Sequence, residues 1–126
     1  MNIFLSQPMS GLTDDQIRYN RNLGINRLAQ YMRNIPSHWP QEWKNPDNWH
    51  VLANMNFEQL SHPLMYLGKD IAMMADAQLL FAIKGWEKAR GCRVELKVAE
   101  EYGLYIIYED RVGDVVYQDQ THMITI

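Results

Sequence analysis

Three short apolar runs, residues 2–6, 77–83 and 104–108, alternate along the chain with stretches of helical periodicity. Runs so evenly apolar suit strands buried on both faces, and parallel strands require a crossover helix between them. The chain is thereby restricted to an α/β fold, a mostly parallel sheet flanked by helices. At 126 residues and 14.8 kDa it is expected to be a single domain, 1–126.

The intervening helices carry their own punctuation. Thr13 and Gln16 form a capping box with Asp14 and Asp15 in the first turn. Ile17, Ile25, Leu28 and Met32 then share one arc, and the helix is predicted to end near Arg33-Asn34. A second helix over Leu64 to Ala75 places Leu64, Leu67, Ile71 and Met74 on one stripe. A third spans Cys92 to Tyr102, with Gly103 as the left-handed residue that closes it. Residues 35–63 are irregular and hold four of the five prolines and three of the four tryptophans. They are too apolar for a disordered linker, so an ordered excursion or lid is expected. Trp39, Trp43 and Trp49 either wrap the core or stack a planar base. Val112 to Tyr117 and Met123 to Ile126 are expected to add further strands.

Composition excludes several roles. Twelve basic against fifteen acidic residues give a net charge of −3, which argues against a broad face for nucleic-acid polymers. A small anionic ligand needs only a few local cations. The single cysteine, Cys92, cannot form an internal disulfide and suits a reducing compartment. No run of 18 apolar residues and no secretory leader is present, so no membrane role and a cytoplasmic location are expected. His38, His50, His62 and His122 lack metal-ligand spacing and read as structural or exposed. No metal or organic cofactor is expected.

In open parallel sheets ligands bind beyond the carboxyl ends of the strands, here Ser6–Gly11, Lys84–Gly91 and Glu109–Gly113. Glu95 is the most informative residue near them. It falls inside the apolar arc made by Gly91, Val94, Val98, Ala99 and Tyr102, with Arg93, Lys97, Glu100 and Glu101 opposite. A carboxylate there is costly unless it is paired or functional. The helix N-terminus is expected to hold it ionised, ready to act as a nucleophile or as a base for water. The bland alternative is an ion pair with Arg90 or Arg93. Asp70 flanks the apolar stripe of the second helix, either as a second carboxylate of the same cleft or as a solvated partner of Lys69 or a local cap. Asp76 reads as a helix-end or strand-start residue rather than a catalyst.

Arg21 falls about 40° from Ile17, among apolar positions, where a guanidinium needs a carboxylate, a phosphate or a route to water. Arg90-Gly91 precedes the third helix, so its charge and amides suit a phosphate. Ser6, Ser10 and Gly11 supply hydroxyl and amide donors in the first loop. Cys92 lies near a helix start, but no His accompanies it in sequence, which disfavours a catalytic thiol.

Two stretches resemble a known superfamily. Phe4-Leu5-Ser6-Gln7-Pro8-Met9-Ser10-Gly11-Leu12-Thr13-Asp14 is similar to the first strand and loop of the nucleoside 2-deoxyribosyltransferase-like superfamily, closest to a small Ser-x-Pro-Met-x-Gly branch of unknown function. Asp70 to Phe81 resembles its aspartate-bearing helix and following strand. Gly85-Trp86-Glu87-Lys88-Ala89-Arg90-Gly91-Cys92-Arg93-Val94-Glu95 resembles its loop and catalytic-helix start, and Ala99 to Gly103 follows in order. The resemblance covers about half the chain and implies a flavodoxin-like α/β fold acting on the N-glycosidic bond of nucleosides or nucleotides.

By position, the resemblance makes Glu95 the nucleophile and Asp70 the group that assists base departure. It places Ser6, Gly11, Arg90 and Gly91 at the sugar or phosphate pocket. Pro8, Met9, Gly85 and Trp86 of the same motifs, with Arg21, complete the expected substrate-binding set. Three positions depart from the superfamily. Phe4 stands where many transferases have tyrosine, Gln7 replaces a small residue, and Ala89-Arg90 replaces the aspartate that holds the sugar. A cation there suits a 5′-phosphate. The resemblance thus implies a nucleoside-monophosphate N-glycosidase, with no cofactor and a homodimer or larger assembly. The alternatives are a 2-deoxyribosyltransferase, or a nucleotide-binding protein that sequesters its ligand without turnover.

Overall fold

The computed structural model describes residues 1–53 and 62–111. The strands expected over 112–117 and 123–126 lie outside the described residues. The elements are β1 (Asn2–Ser6), α1 (Asp14–Met32), β2 (His50–Leu52), α2 (Pro63–Met74), β3 (Leu79–Ala82), α3 (Arg90–Glu101) and β4 (Tyr105–Tyr108), joined in places by single 3₁₀ turns. They form an α/β fold whose four strands are all parallel, in the order β2-β1-β3-β4. That order agrees with a flavodoxin-like sheet.

The period of two along each strand divides the core between the two sheet faces. Ile3 and Leu5 of β1 pack with Leu79 and Phe81 of β3, and with Leu28, Tyr31 and Met32 of α1. Phe4, Leu80 and Ala82 face the other way, against Met74 of α2 and Leu96 and Ala99 of α3. Ser6 follows Phe4 by two residues and therefore points toward the α2–α3 side. The chain leaves β1 for β2 on one side and returns to β3 on the other, so the switch point of the sheet lies between β1 and β3.

Local signals explain most element ends. Thr13 and Gln16 make both hydrogen bonds of the capping box. Gly103 closes α3 at φ +76°, as its sequence position implies. His62 caps α2, its Nδ1 accepting from the Leu64 amide.

The irregular stretch after α1 is ordered where described. Trp39 and Trp43 are buried in the core and meet Tyr105 edge-on, with ring centroids 5.0 and 4.9 Å away. Trp49 donates from its indole to the Trp43 carbonyl at 2.8 Å. These tryptophans wrap the core. The same stretch also supplies β2, a three-residue edge strand that periodicity does not announce.

Two expectations need correction. The stripe of α2 is only partly used: Met74 is buried, but Leu64 is 67% exposed at the helix start, away from the sheet. On α3 the buried residues are Cys92, Glu95, Leu96 and Ala99, while Val94 and Tyr102 are exposed. The buried arc is therefore rotated relative to the one drawn from Val94, and Glu95 sits at its edge. Among the described residues, no helix is long and apolar enough to cross a membrane.

Candidate active site

Ser6 ends β1 with its side chain turned toward α3, where Glu95 lies on the sheet-facing side. Its hydroxyl donates to Glu95 Oε1 at 2.7 Å, with both residues buried. Asp70 reaches the same point from α2 and is hydrogen-bonded to the Glu95 carboxyl. Three elements far apart in sequence thus converge on one carboxyl pair beyond the end of β1. No ion pair of Glu95 with Arg90 or Arg93 forms; Arg93 instead donates to the Glu87 carbonyl at 3.0 Å.

The protonation of this pair reverses the expectation drawn from the helix end. α3 begins at Arg90, two residues earlier than its sequence pattern suggests, so Glu95 lies in the second turn, beyond the free amides. Burial first, and the neighbouring Asp70 second, push the Glu95 carboxyl up to about 9. Ser6 opposes the shift without cancelling it. Burial also raises Asp70, while its hydrogen bond with Glu95 pulls it back down. Glu95 is therefore held protonated at neutral pH, beside a carboxyl that burial also shifts upward.

A cleft beside the pair is lined by Leu5, Gln7, Met9, Arg21 and Asp70. Arg21 is 7% exposed, as its place among apolar positions implies. Burial, and then nearby Arg18, lower its pKa; a guanidinium remains charged regardless. Its Nε donates to Gln7 Oε1 at 2.9 Å, and Gln7 Nε2 donates to the Ile17 carbonyl at 2.7 Å. Gln7 was visible in sequence only as a departure from the superfamily pattern. Nothing in its local spacing marks it as the residue that ties the first loop to α1.

The other expected residues surround this centre unequally. Gly85 has φ +96°, and a Cβ placed there would lie 3.5 Å from Pro8, so the loops after β1 and β3 touch. Gly11, at φ +79°, ends the first loop in open space. Ser10 is exposed. Trp86 stacks obliquely on Tyr108 with centroids 5.0 Å apart, and its buried Nε1 has no hydrogen-bond partner among the described residues. Arg90 is exposed as the first residue of α3, with half-buried Gly91 next to it. Of the expected residues, Met9, Arg21 and Asp70 line the cleft, Ser6 and Glu95 join it through Asp70, and Arg90 is outside its lining.

Cys92 touches this site as well. Its thiol lies by Ser6 and is pushed up to about 11, mainly by burial, so it stays protonated and is a poor nucleophile. Among the described residues no group of three or more His, Cys, Asp or Glu is placed to hold a metal. His38, His50 and His62 are exposed.

No curated protein and no solved structure gives a match to this chain. Residues 1–108 match the family described as a domain of unknown function, DUF4406. The match takes in every described strand, the carboxyl pair and the cleft, and the chain belongs to the DUF4406 family.

Proposed function

We propose that this protein cleaves the N-glycosidic bond of a nucleoside 5′-monophosphate, with Glu95 as nucleophile. The observation that carries this reading is buried Glu95, held by Ser6 at the carboxyl end of β1 and met there by half-buried Asp70. The proton moves from Glu95 to Asp70 as substrate enters, which leaves Glu95 ionised against the anomeric carbon. The C1′–N bond then breaks as the Glu95–C1′ bond forms. Its electron pair goes to the base, which leaves with the proton from Asp70.

Water next attacks C1′, Asp70 takes its proton, and Glu95 departs as a carboxylate. Ser6 holds one oxygen of Glu95 and aims the other. Arg90 and the amides at the start of α3 receive the 5′-phosphate. The reading includes a cytoplasmic homodimer or larger assembly.

Chromatography for free base, after incubation with a panel of nucleosides and their 5′-monophosphates, tests this reading. The wild type is expected to release base from monophosphates roughly 10- to 150-fold better than from nucleosides, a charge-assisted contact that Arg90→Ala removes. Equal use of nucleoside and monophosphate would favour transferase chemistry. Glu95→Gln releasing base as fast as the wild type would sink the nucleophile. A second reading, nucleotide binding without turnover, is favoured by the proton that Glu95 keeps in the resting protein. Intact nucleotide bound tightly for hours with no base released would select it.

A further inference from the structure

Resolution of a glycosyl-enzyme needs a water that waits near C1′ while the base departs, and the cleft beside Asp70 has the size of one. It leaves about 10 Å³ for water between Leu5, Gln7, Met9, Arg21 and Asp70. That space takes roughly one molecule. A water lodged there also needs at least two polar partners. Arg21 is engaged with Gln7 and has a further interaction, so the side chains that remain for the water are Gln7 and Asp70.

Two contacts fix which end of the Gln7 amide is which. Arg21 Nε only donates, and it meets the amide oxygen at 2.9 Å; the Ile17 carbonyl only accepts, and it meets the amide nitrogen at 2.7 Å. An amide oxygen has two lone pairs, and Arg21 uses one of them. The second suits a water O–H. Asp70 is a carboxylate once it has given its proton to the departing base, and it accepts the other O–H. A water that donates both protons to the protein keeps its own lone pairs for C1′.

We propose that Gln7 is a positioning residue for hydrolysis: with Asp70 it holds the single water that resolves the Glu95 glycosyl intermediate. The reaction assigned to that water rests on the glycosidase reading, while the water site itself is a property of the resting protein. In the step, the water oxygen bonds to C1′ as the bond between C1′ and Glu95 breaks. The electron pair of the broken bond returns to the Glu95 carboxylate, and the proton facing Asp70 passes to Asp70. The proton facing Gln7 stays on the sugar as part of the new hydroxyl.

Methanol separates this role from a merely structural one. It has one O–H, which it gives to Asp70, so its attack owes nothing to the Gln7 acceptor. Wild type, Gln7→Leu and Gln7→Glu are incubated with the four common ribonucleoside 5′-monophosphates and their 2′-deoxy forms in a fixed mixture of methanol and water. Proton NMR then gives the ratio of methyl glycoside to free sugar phosphate. Gln7→Leu is expected to raise that ratio roughly 3- to 10-fold, the worth of one hydrogen bond to the competing water. Gln7→Glu supplies an acceptor again and should keep the wild-type ratio. A ratio is independent of how much protein is folded, so a weakened leucine variant still reports.

The second measurement is a high-resolution crystal structure of wild type and of Gln7→Leu, each without nucleotide. Wild type is expected to hold a water within hydrogen-bond distance of Gln7 Oε1 and Asp70, and the variant to lack it. If no nucleotide yields base, yet the water is present in wild type and lost in Gln7→Leu, glycoside cleavage fails and the water site stands. A wild-type cleft without that water overturns the assignment, as does a water that stays in place without Gln7. A ratio unchanged in Gln7→Leu, or raised equally in Gln7→Glu, overturns the role in hydrolysis.

Discussion

A glutamine at position 95 reproduces the hydrogen bonds of a protonated glutamate, accepting from Ser6 and donating to Asp70. Glu95→Gln should therefore fold like the wild type while losing its nucleophile, with turnover down roughly a thousandfold or more in single-turnover assays. Ser6→Ala removes the donor to Glu95 Oε1 and leaves that oxygen buried without it. Turnover is expected to fall about 10- to 100-fold with a smaller change in KM, the mark of a positioning residue. Glu95 was legible in sequence because a carboxylate on an apolar helix arc needs a reason. Its proton was not, because that depends on Asp70, brought in by a different helix. Arg21 was legible for the same cause as Glu95. Gln7 was not, since a polar residue in a turn is the ordinary case until its two partners are known.

At the scale of elements, α1 is positioned by close packing as much as by its cap. A Cβ on Gly24 would lie 2.6 Å from Ile83 Cδ1 and 3.3 Å from Phe81 Cε2. Gly24→Ala gains helix propensity but must displace both side chains, so chemical denaturation should show a net loss of about 1–2 kcal/mol. Nearby, buried Glu109 accepts from the Lys84 amide at 2.8 Å and pairs with Arg27 at 3.1 Å, tying the end of β3 to α1. Glu109→Ala leaves that amide without its acceptor and should cost about 1–3 kcal/mol in the same measurement. The strands and helices around the site were readable because each is a strong pattern: continuous apolar runs, a complete capping box, a closing glycine. β2 was not readable, since three residues at a sheet edge, two of them exposed, leave no alternation to detect. The start of α3 was read two residues late because Arg90 and Gly91 look like loop, although N-terminal helix positions accept them.

For the molecule as a whole, the carboxyl pair links folding to pH. Glu95 titrates near 4.5 when unfolded and near 9 when folded, so between those values the folded state holds more protons than the unfolded chain. Stability contributed by the neutral carboxyl is full below about 4.5 and is lost as pH rises through about 9. Urea unfolding at pH 5 and pH 9 should show the wild type losing stability relative to Glu95→Gln as pH rises. An unchanged difference between the two proteins would mean that Glu95 is not protonated in the folded state.

The central claim, that Glu95 itself attacks the anomeric carbon, is tested most directly by the stereochemistry of trapping. Methanol added to the reaction competes with water for the sugar, and the methyl glycoside does not interconvert between anomers as the free sugar does. Proton NMR of that product should show the β configuration of the starting nucleotide, because two successive displacements at C1′ retain it. A product wholly of the α configuration would mean single attack by solvent, and would contradict the account.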